Sequence, residues 1–244
     1  MMTNTQLKYL EDTYADTDKA TVLRVGQDER GAYMVLDQTI FYPQGGGQPT
    51  DTGHIEIEQA VIAVSFVGFN QGEVLHYISE VPSHFEALVG QSCELRVDKA
   101  QRLKYAKLHT AGHLIAAIVD GQRGPLRAMK GFHFDDGPYV EFEGKPDGDA
   151  ESLLATVQTE ANTLIQQNLP VVAEMVTYDE LKQRCWQIPS YLPEDKPLRV
   201  VAIGALDAVP CGGTHVSSLA ELGSLSLIKI KSKKGNTKIS YQIG

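Results

Sequence analysis

His109 and His113 stand four residues apart in KLHTAGHLIA, and Cys211 and His215 stand four apart in PCGGTHV. On a helix, positions four apart differ by about 40° around the axis and one turn along it, so both imidazoles of the first pair project from one face and can reach one ion. The two glycines between Cys211 and His215 permit a sharp turn that lets a thiolate and an imidazole point the same way. Zinc accepts this mixed nitrogen and sulfur set, whereas a thiolate argues against calcium or magnesium. The expectation is one zinc ion per chain, held by His109, His113, Cys211 and His215. Four protein ligands lean towards a structural site, because catalytic zinc keeps a position open. The peptidase motif HExxH fails here: Thr110, Ala111 and Gly112 lie between the histidines, and no glutamate is there to act as general base.

A second stretch with chemical potential is FYPQGGGQPTDTG, with Gly45, Gly46 and Gly47 in a row. No GK[ST] follows it and no helix opens after it, so it is neither a phosphate-binding loop nor a dinucleotide fingerprint. Two readings stay open: a tight turn of a barrel, or a place where bare backbone comes close to another surface, either a second domain or an RNA end. Gln48 and the upstream Thr39 offer hydrogen-bonding groups beside it.

These residues need elements to position them. TVLRV, AYMVLDQTIFY, GHIEIEQAVIAVSFVGF, EVLHYI and SCELRV are rich in β-branched and aromatic residues and are separated by Gly, Asp, Asn or Pro, which predicts a small antiparallel barrel over residues 1–98. From Asp98 the period changes. Leu103, Ala106, Leu114, Ile115, Ala117 and Ile118 fall at helical spacing, with Asp98 as a cap and Gly121 as a stop, so a long helix is expected at about 99–119. MKGFHFDDGPYVEFEG reads as a hairpin turning at Asp135, Asp136 and Gly137. A second helix closed by Pro170 and a third at Tyr178–Arg184 follow. LRVVAIG and a final hairpin turning at Gly235-Asn236 complete an α+β segment over 99–244.

Composition narrows the classes. With 42% hydrophobic residues among 244, a folded core is expected, and no stretch reaches the roughly 20 apolar residues of a membrane span. The N-terminus has neither a basic region nor an apolar one, so the expected location is the cytoplasm. Three cysteines, an odd number far apart, fit a reducing compartment, and ordinary packing is expected of Cys93 and Cys185. The net charge of −9 does not advertise a nucleic-acid binder. It is uneven, however: residues 1–98 carry five basic and 15 acidic side chains, and residues 99–244 carry 17 and 16. The second segment concentrates its positives at Lys99–Lys107 and at Lys229, Lys231, Lys233, Lys234 and Lys238, either as a solvated face or as phosphate contacts.

HTAGHL, then PCGGTHVSSLAELGSLSLIKIKSKKGNTKISY, preceded by LDQTIFYPQGGGQPTDTG, resembles the editing domain of alanyl-tRNA synthetases. The chain is similar to freestanding AlaX-type alanyl-tRNA editing proteins, in the longer form that has the glycine-rich N-terminal segment. The resemblance covers roughly residues 20–244 in the family's motif order, and no aminoacylation domain is recognised. It implies a β-barrel domain followed by an α+β domain shared with threonyl-tRNA synthetase editing regions. The implied activity is that of an aminoacyl-tRNA deacylase, which hydrolyses serine, and often glycine, from mischarged alanine tRNA. The implied zinc ligands are the four residues already named. Thr39 and Gln48 become candidates for contacting a seryl hydroxyl, Gly45–Gly47 for substrate or tRNA handling, and Lys130 and His133 for the terminal adenosine. One departure is Gly112, where synthetases often carry a larger residue such as threonine. The rival expectations are an RNA-binding protein with a structural zinc, and a zinc hydrolase of a small ester or amide.

Overall fold

The computed structural model describes residues 5–244; the first four residues of the expected barrel segment lie outside it. The chain folds as two units. One comprises the chain up to Gly45 together with Pro49–Lys104, and the other comprises Gly46–Gln48 together with Tyr105–Gly244.

Six strands close the barrel of the first unit: β1 (Thr17–Asp28), β2 (Gly31–Leu36), β3 (Gly53–Ile57), β4 (Ala60–Asn70), β5 (Glu73–Ile78) and β6 (Ser92–Val97). Their order around the barrel is β1-β2-β5-β4-β3-β6, and every pairing is antiparallel. The long apolar stretch at 53–69 is a hairpin, not one strand, because Glu58 and Gln59 turn the chain between Ile57 and Ala60, Glu58 at a φ of 54°. Alternation fills the interior with Val22, Met34, Leu36, Ile55, Val64, Val67 and Leu95. Closure removes the exposed sheet edges that would otherwise invite strand addition.

α1 (Lys99–Gly121) begins in this unit, with the Asp98 carboxylate accepting from the Gln101 amide at 3.0 Å as its cap. Its continuation from Tyr105 belongs to the second unit. Gly121 is the last helical residue, but the left-handed step that follows is at Arg123, with φ 53°.

In the second unit α1 is followed by β7 (Arg127–Phe132), β8 (Tyr139–Glu143), α2 (Ala150–Gln166), β9 (Val171–Val176), α3 (Tyr178–Arg184), β10 (Leu198–Ile203), β11 (Val209–Pro210), β12 (Leu225–Lys233) and β13 (Asn236–Ile243). The final turn uses Lys234 and Gly235, at φ of 53° and 87°, and not Gly235-Asn236. A two-residue hairpin turn with both central residues in the left-handed region accounts for that one-residue shift. The four-stranded antiparallel sheet runs β12-β13-β8-β7, and β9, β10 and β11 form a three-stranded one. Leu114, Ile115 and Ile118 of α1, Val157 and Ala161 of α2, and Phe142, Ile239 and Tyr241 of the larger sheet share one core. Strand β9 carried no expectation from sequence: its middle four residues are all exposed, so VVAEMV has no alternating pattern to betray it. Among the described residues no helix is long and apolar enough to cross a membrane.

Candidate metal centre

The i, i+4 spacing on α1 sets the His109 and His113 rings 4.9 Å apart between centroids. The second pair arrives on the turn after β11, which Arg199 of β10 holds by its backbone. The Arg199 carbonyl accepts from the Cys211 amide at 3.1 Å, and its Nη1 donates to the carbonyls of Cys211 and Gly213 at 2.8 and 2.9 Å. The two glycines of this turn differ. A Cβ on Gly213 would run into the His109 ring, whereas Gly212 faces open space. Only the second is demanded by close approach.

The His215 ring then lies 4.4 Å from that of His109 and 4.5 Å from that of His113. Cys211 Sγ is 3.6 Å from His109 Nε2 and 3.4 Å from His215 Nε2. One donor atom from each of His109, His113, Cys211 and His215 falls within 4.8 Å of the others, so the group could hold a metal ion. No carboxylate belongs to it.

Neighbouring groups fix which nitrogen faces the centre. Gln48 Oε1 accepts from the Thr214 amide at 3.0 Å, which identifies that end of the side chain as oxygen; its partner at 2.8 Å, His109 Nδ1, must therefore carry the proton. The Gln48 amide nitrogen donates to the Thr214 hydroxyl at 2.7 Å. Thr110 donates its hydroxyl proton to the Ala106 carbonyl at 2.8 Å, so its 3.0 Å contact with His215 Nδ1 makes that nitrogen a donor too. Both Nε2 lone pairs are left facing the thiol. Outer partners of this kind set ligand tautomer and orientation in metal sites.

Burial, then the neighbouring imidazoles and Arg199, holds His109 and His215 well below the usual imidazole range. Burial brings His113 down to about 4. The rings are thus neutral, the form that donates to a metal. Burial pushes the Cys211 thiol up, against the 3.3 Å hydrogen bond from the Gly213 amide and the nearby Arg199 charge. Binding an ion would release that proton.

His133 adjoins the cluster, its ring stacked on His109 at 4.5 Å and 24°. Tyr241 donates to the Leu108 carbonyl at 2.8 Å, so it accepts from His133 Nδ1 at 2.7 Å. A Cβ at Gly112 or at Gly131 would collide with the His133 imidazole. The ring occupies a slot that exists because both positions are glycine, and burial lowers its pKa to about 3. The departure at Gly112 is therefore filled by His133.

The remaining candidates divide between the units. Gly46, Gly47, Gln48 and His133 belong to the second unit with the four ligand candidates, while Thr39 and Gly45 belong to the barrel unit. Gly47, at φ 79°, shows close backbone approach: its carbonyl accepts from the His133 amide at 2.8 Å, and a Cβ there would strike the Gly131 carbonyl. Gly45 accepts from the Tyr42 hydroxyl at 2.8 Å. The Thr39 hydroxyl contacts His76 Nε2 at 2.8 Å and accepts from the Phe41 amide at 3.0 Å. Lys130 is exposed on β7, where its ammonium lies 3.4 Å from Glu141. Cys93 and Cys185 are buried, each with its thiol pushed up by burial, Cys93 to about 11. Thr110, Thr214, Arg199 and Tyr241 carry the site's outer bonds and were not legible in sequence, since their partners lie up to 166 residues away.

Residues 4–101 match the family described as class II (A) tRNA synthetases, and residues 198–239 match the second additional domain of threonyl and alanyl tRNA synthetases. AlaX-M of Saccharolobus solfataricus is 30% identical over 98% of this chain and 99% of its own length, and AlaX-M of Methanosarcina barkeri 29% identical over 98% and 99%. AlaX-L of Pyrococcus horikoshii is 31% identical over 97% of this chain, which spans 57% of that longer relative. The alanine–tRNA ligase of Methanobrevibacter smithii is 27% identical over 98% of this chain and 27% of its own length. A barrel followed by an α+β unit with three imidazoles and a thiol at its centre accords with these matches, and the chain belongs to the AlaX-type family of alanyl-tRNA editing proteins.

Proposed function

We propose that the protein is a zinc-dependent deacylase that hydrolyses the aminoacyl ester of mischarged alanine tRNA, with serine, and also glycine, as the amino acids removed. The observation that carries this reading is the convergence of His109, His113, Cys211 and His215, with two of the three imidazoles held by Gln48 and Thr110 so that Nε2 faces the thiol.

The donor set fits zinc. Tetrahedral bonds of about 2.0–2.1 Å to nitrogen and 2.3 Å to sulfur separate the two ligand atoms by about 3.6 Å, close to the 3.4 and 3.6 Å between Cys211 Sγ and the two imidazole nitrogens. When bound, zinc supplies a fixed positive charge that can anchor the substrate or stabilise developing negative charge on an ester oxygen. The chain's own residues do the rest. Gln48 and Thr110 orient the ligand rings, Arg199 keeps the Cys211 turn in place, and the stack of His133 on His109 keeps water from that side of the ring. An aminoacyl ester is already activated, so orientation of the ester and a water covers much of what is needed. We assign no side chain as general base, because the cluster contains no carboxylate.

Sparing alanyl-tRNA requires a site that hydrogen-bonds the seryl hydroxyl, since polar groups left unpaired by the smaller substrate give discrimination on the order of 10⁴. Thr39 and Gln48 are the proposed contacts. Both hold internal hydrogen bonds in the substrate-free chain, so the discrimination requires that docking of the tRNA end free one of these bonds for the seryl hydroxyl. An unchanged serine-to-alanine rate ratio in Thr39→Val removes Thr39 from that role.

The four-ligand set also favours a rival, a structural zinc in an RNA-binding protein. Deacylation of Ser-tRNA(Ala), Gly-tRNA(Ala) and Ala-tRNA(Ala), with and without a chelator, separates the readings. The expected result is chelator-sensitive release of serine and glycine with alanine retained. Cys211→Ala and His109→Ala are expected to lose zinc and deacylation together; full activity in either zinc-free variant defeats the proposal.

A further inference from the structure

The outer face of the four-stranded sheet takes no part in the centre just described. Strand register decides which side chains share it. Lys130, Lys238 and Lys231 stand in one row across β7, β13 and β12 with Glu141 of β8 among them, and Lys229 and Lys233 flank Lys231 on the same face. In the outermost row Arg127 and Glu143 offset each other. Glu141 is shared, with Lys130 at 3.4 Å and Lys238 at 3.5 Å. Six cations against two carboxylates thus crowd one face of a chain whose net charge is −9. Neighbouring strands are only about 4.8 Å apart, so the lysine charges repel one another, and a polyanion laid across them would relieve that repulsion.

The same face carries a column of rings. Tyr139 and Phe132 pair across the strands with centroids 5.3 Å apart at 14°, and Phe134 stacks on Phe132 at 4.4 Å and 16°. Lys238 Nζ lies 3.9 Å from the Tyr139 centroid and closes that end. At the other end, among the described residues, half-buried Phe134 has no second ring neighbour. Between Phe132 and Phe134 comes His133, whose side chain takes the opposite face and stacks on His109. The aromatic column therefore ends just past the edge strand, at the sequence neighbour of His133, whose ring stacks on His109 of the histidine–cysteine cluster.

We propose that this face receives the single-stranded 3′ end of an RNA, its phosphates against Lys229, Lys231 and Lys238 and an unpaired base on Phe134, so that the terminal nucleotide lies at the Phe134 end of the aromatic column. The proposal rests on the tRNA deacylase reading above and assigns its docking surface. Sequence-tolerant stacking of bases on aromatic rings within a basic groove is how single strands are held, and counterion release gives such binding a steep salt dependence.

The test is binding by the full chain of uncharged tRNA(Ala) and of the same tRNA lacking its last three nucleotides, titrated over a range of KCl. Phe134→Ala and Phe134→Leu are expected to weaken binding of the intact tRNA about tenfold or more, with no effect on the truncated one, and Phe134→Trp to keep it. Lys229→Glu with Lys231→Glu should lower the log–log salt slope by about 1.4 or more, while Lys196→Glu, away from this sheet, leaves it unchanged. The inference is overturned if Phe134→Ala binds both RNAs as the unaltered protein does, if the double lysine variant keeps the salt slope, or if polyglutamate competes as well as the RNA end. Binding is read without turnover, so the two proposals fail separately. Loss of end-dependent binding in Phe134→Ala, with no serine released by the unaltered protein, sinks the deacylase reading alone, and serine release with unchanged KM in Phe134→Ala sinks this one alone.

Discussion

Each unit buries histidine, but the two units leave its nitrogens in different states. In the barrel, His76 donates from Nδ1 to the Met34 carbonyl at 3.1 Å and accepts at Nε2 from the Thr39 hydroxyl at 2.8 Å, which in turn accepts from the Phe41 amide. Arg102 there is equally complete: its guanidinium pairs with Asp51 and donates to the carbonyls of Thr13 and Ile40. In the α+β unit, His109 and His215 each have one nitrogen engaged by a neighbour and the other facing Cys211. Burial depresses the pKa in both places, so burial and a displaced pKa do not by themselves mark a functional site. What distinguishes the second cluster is a set of lone pairs directed at a common point.

The contrast can be broken from the barrel side first. Asp51→Ala leaves the buried Arg102 charge without its carboxylate, and the expected cost is about 3–5 kcal/mol in urea unfolding at pH 7. A loss below about 1 kcal/mol would mean that the Arg102–Asp51 pair does not hold the barrel together. Acid comes next in size. His76 falls from 6.5 to about 4 in the folded chain because burial disfavours the cation. The unfolded chain takes up a proton below pH 6.5 that the folded chain refuses, so stability is flat above that pH and falls by about 3 kcal/mol on the way down to pH 4. The difference between the unaltered protein and His76→Gln across that window isolates this residue from the lowered histidines of the other cluster; parallel curves would refute the assignment. The smallest effect sharpens the comparison. Gln48→Ala removes the acceptor that fixes the His109 tautomer, and zinc affinity, measured by competition with a chromophoric chelator, should fall about 10–100-fold. Unchanged affinity would show that His109 needs no outside help to face the centre.

How much of this was legible beforehand follows the range of the contacts involved. Helix α1, expected at 99–119, spans Lys99–Gly121, and α3 occupies the expected Tyr178–Arg184, where Thr177 and Glu180 form a capping box. Local rules suffice for both. The two candidate ligand pairs were also visible, each a pair spaced four residues apart, and the structure brings them together. Gln48 was read as a free hydrogen-bonding group beside a glycine run, and nothing local says that its amide spans 166 residues to Thr214. Tyr241 carried no expectation of its own, yet it sets the His133 tautomer from 108 residues away. Strand β9 escaped because both of its faces are mostly exposed, which erases the alternation that marks a half-buried strand.

The slot at Gly112 ties together two positions 21 residues apart in the chain, since the His133 imidazole fills the volume a side chain on the helix would claim. Neither site can drift alone. A lineage that gains bulk on the helix must first trim position 133, and one that keeps histidine there is held to glycine at 112, so across relatives the two should be inherited as a matched pair.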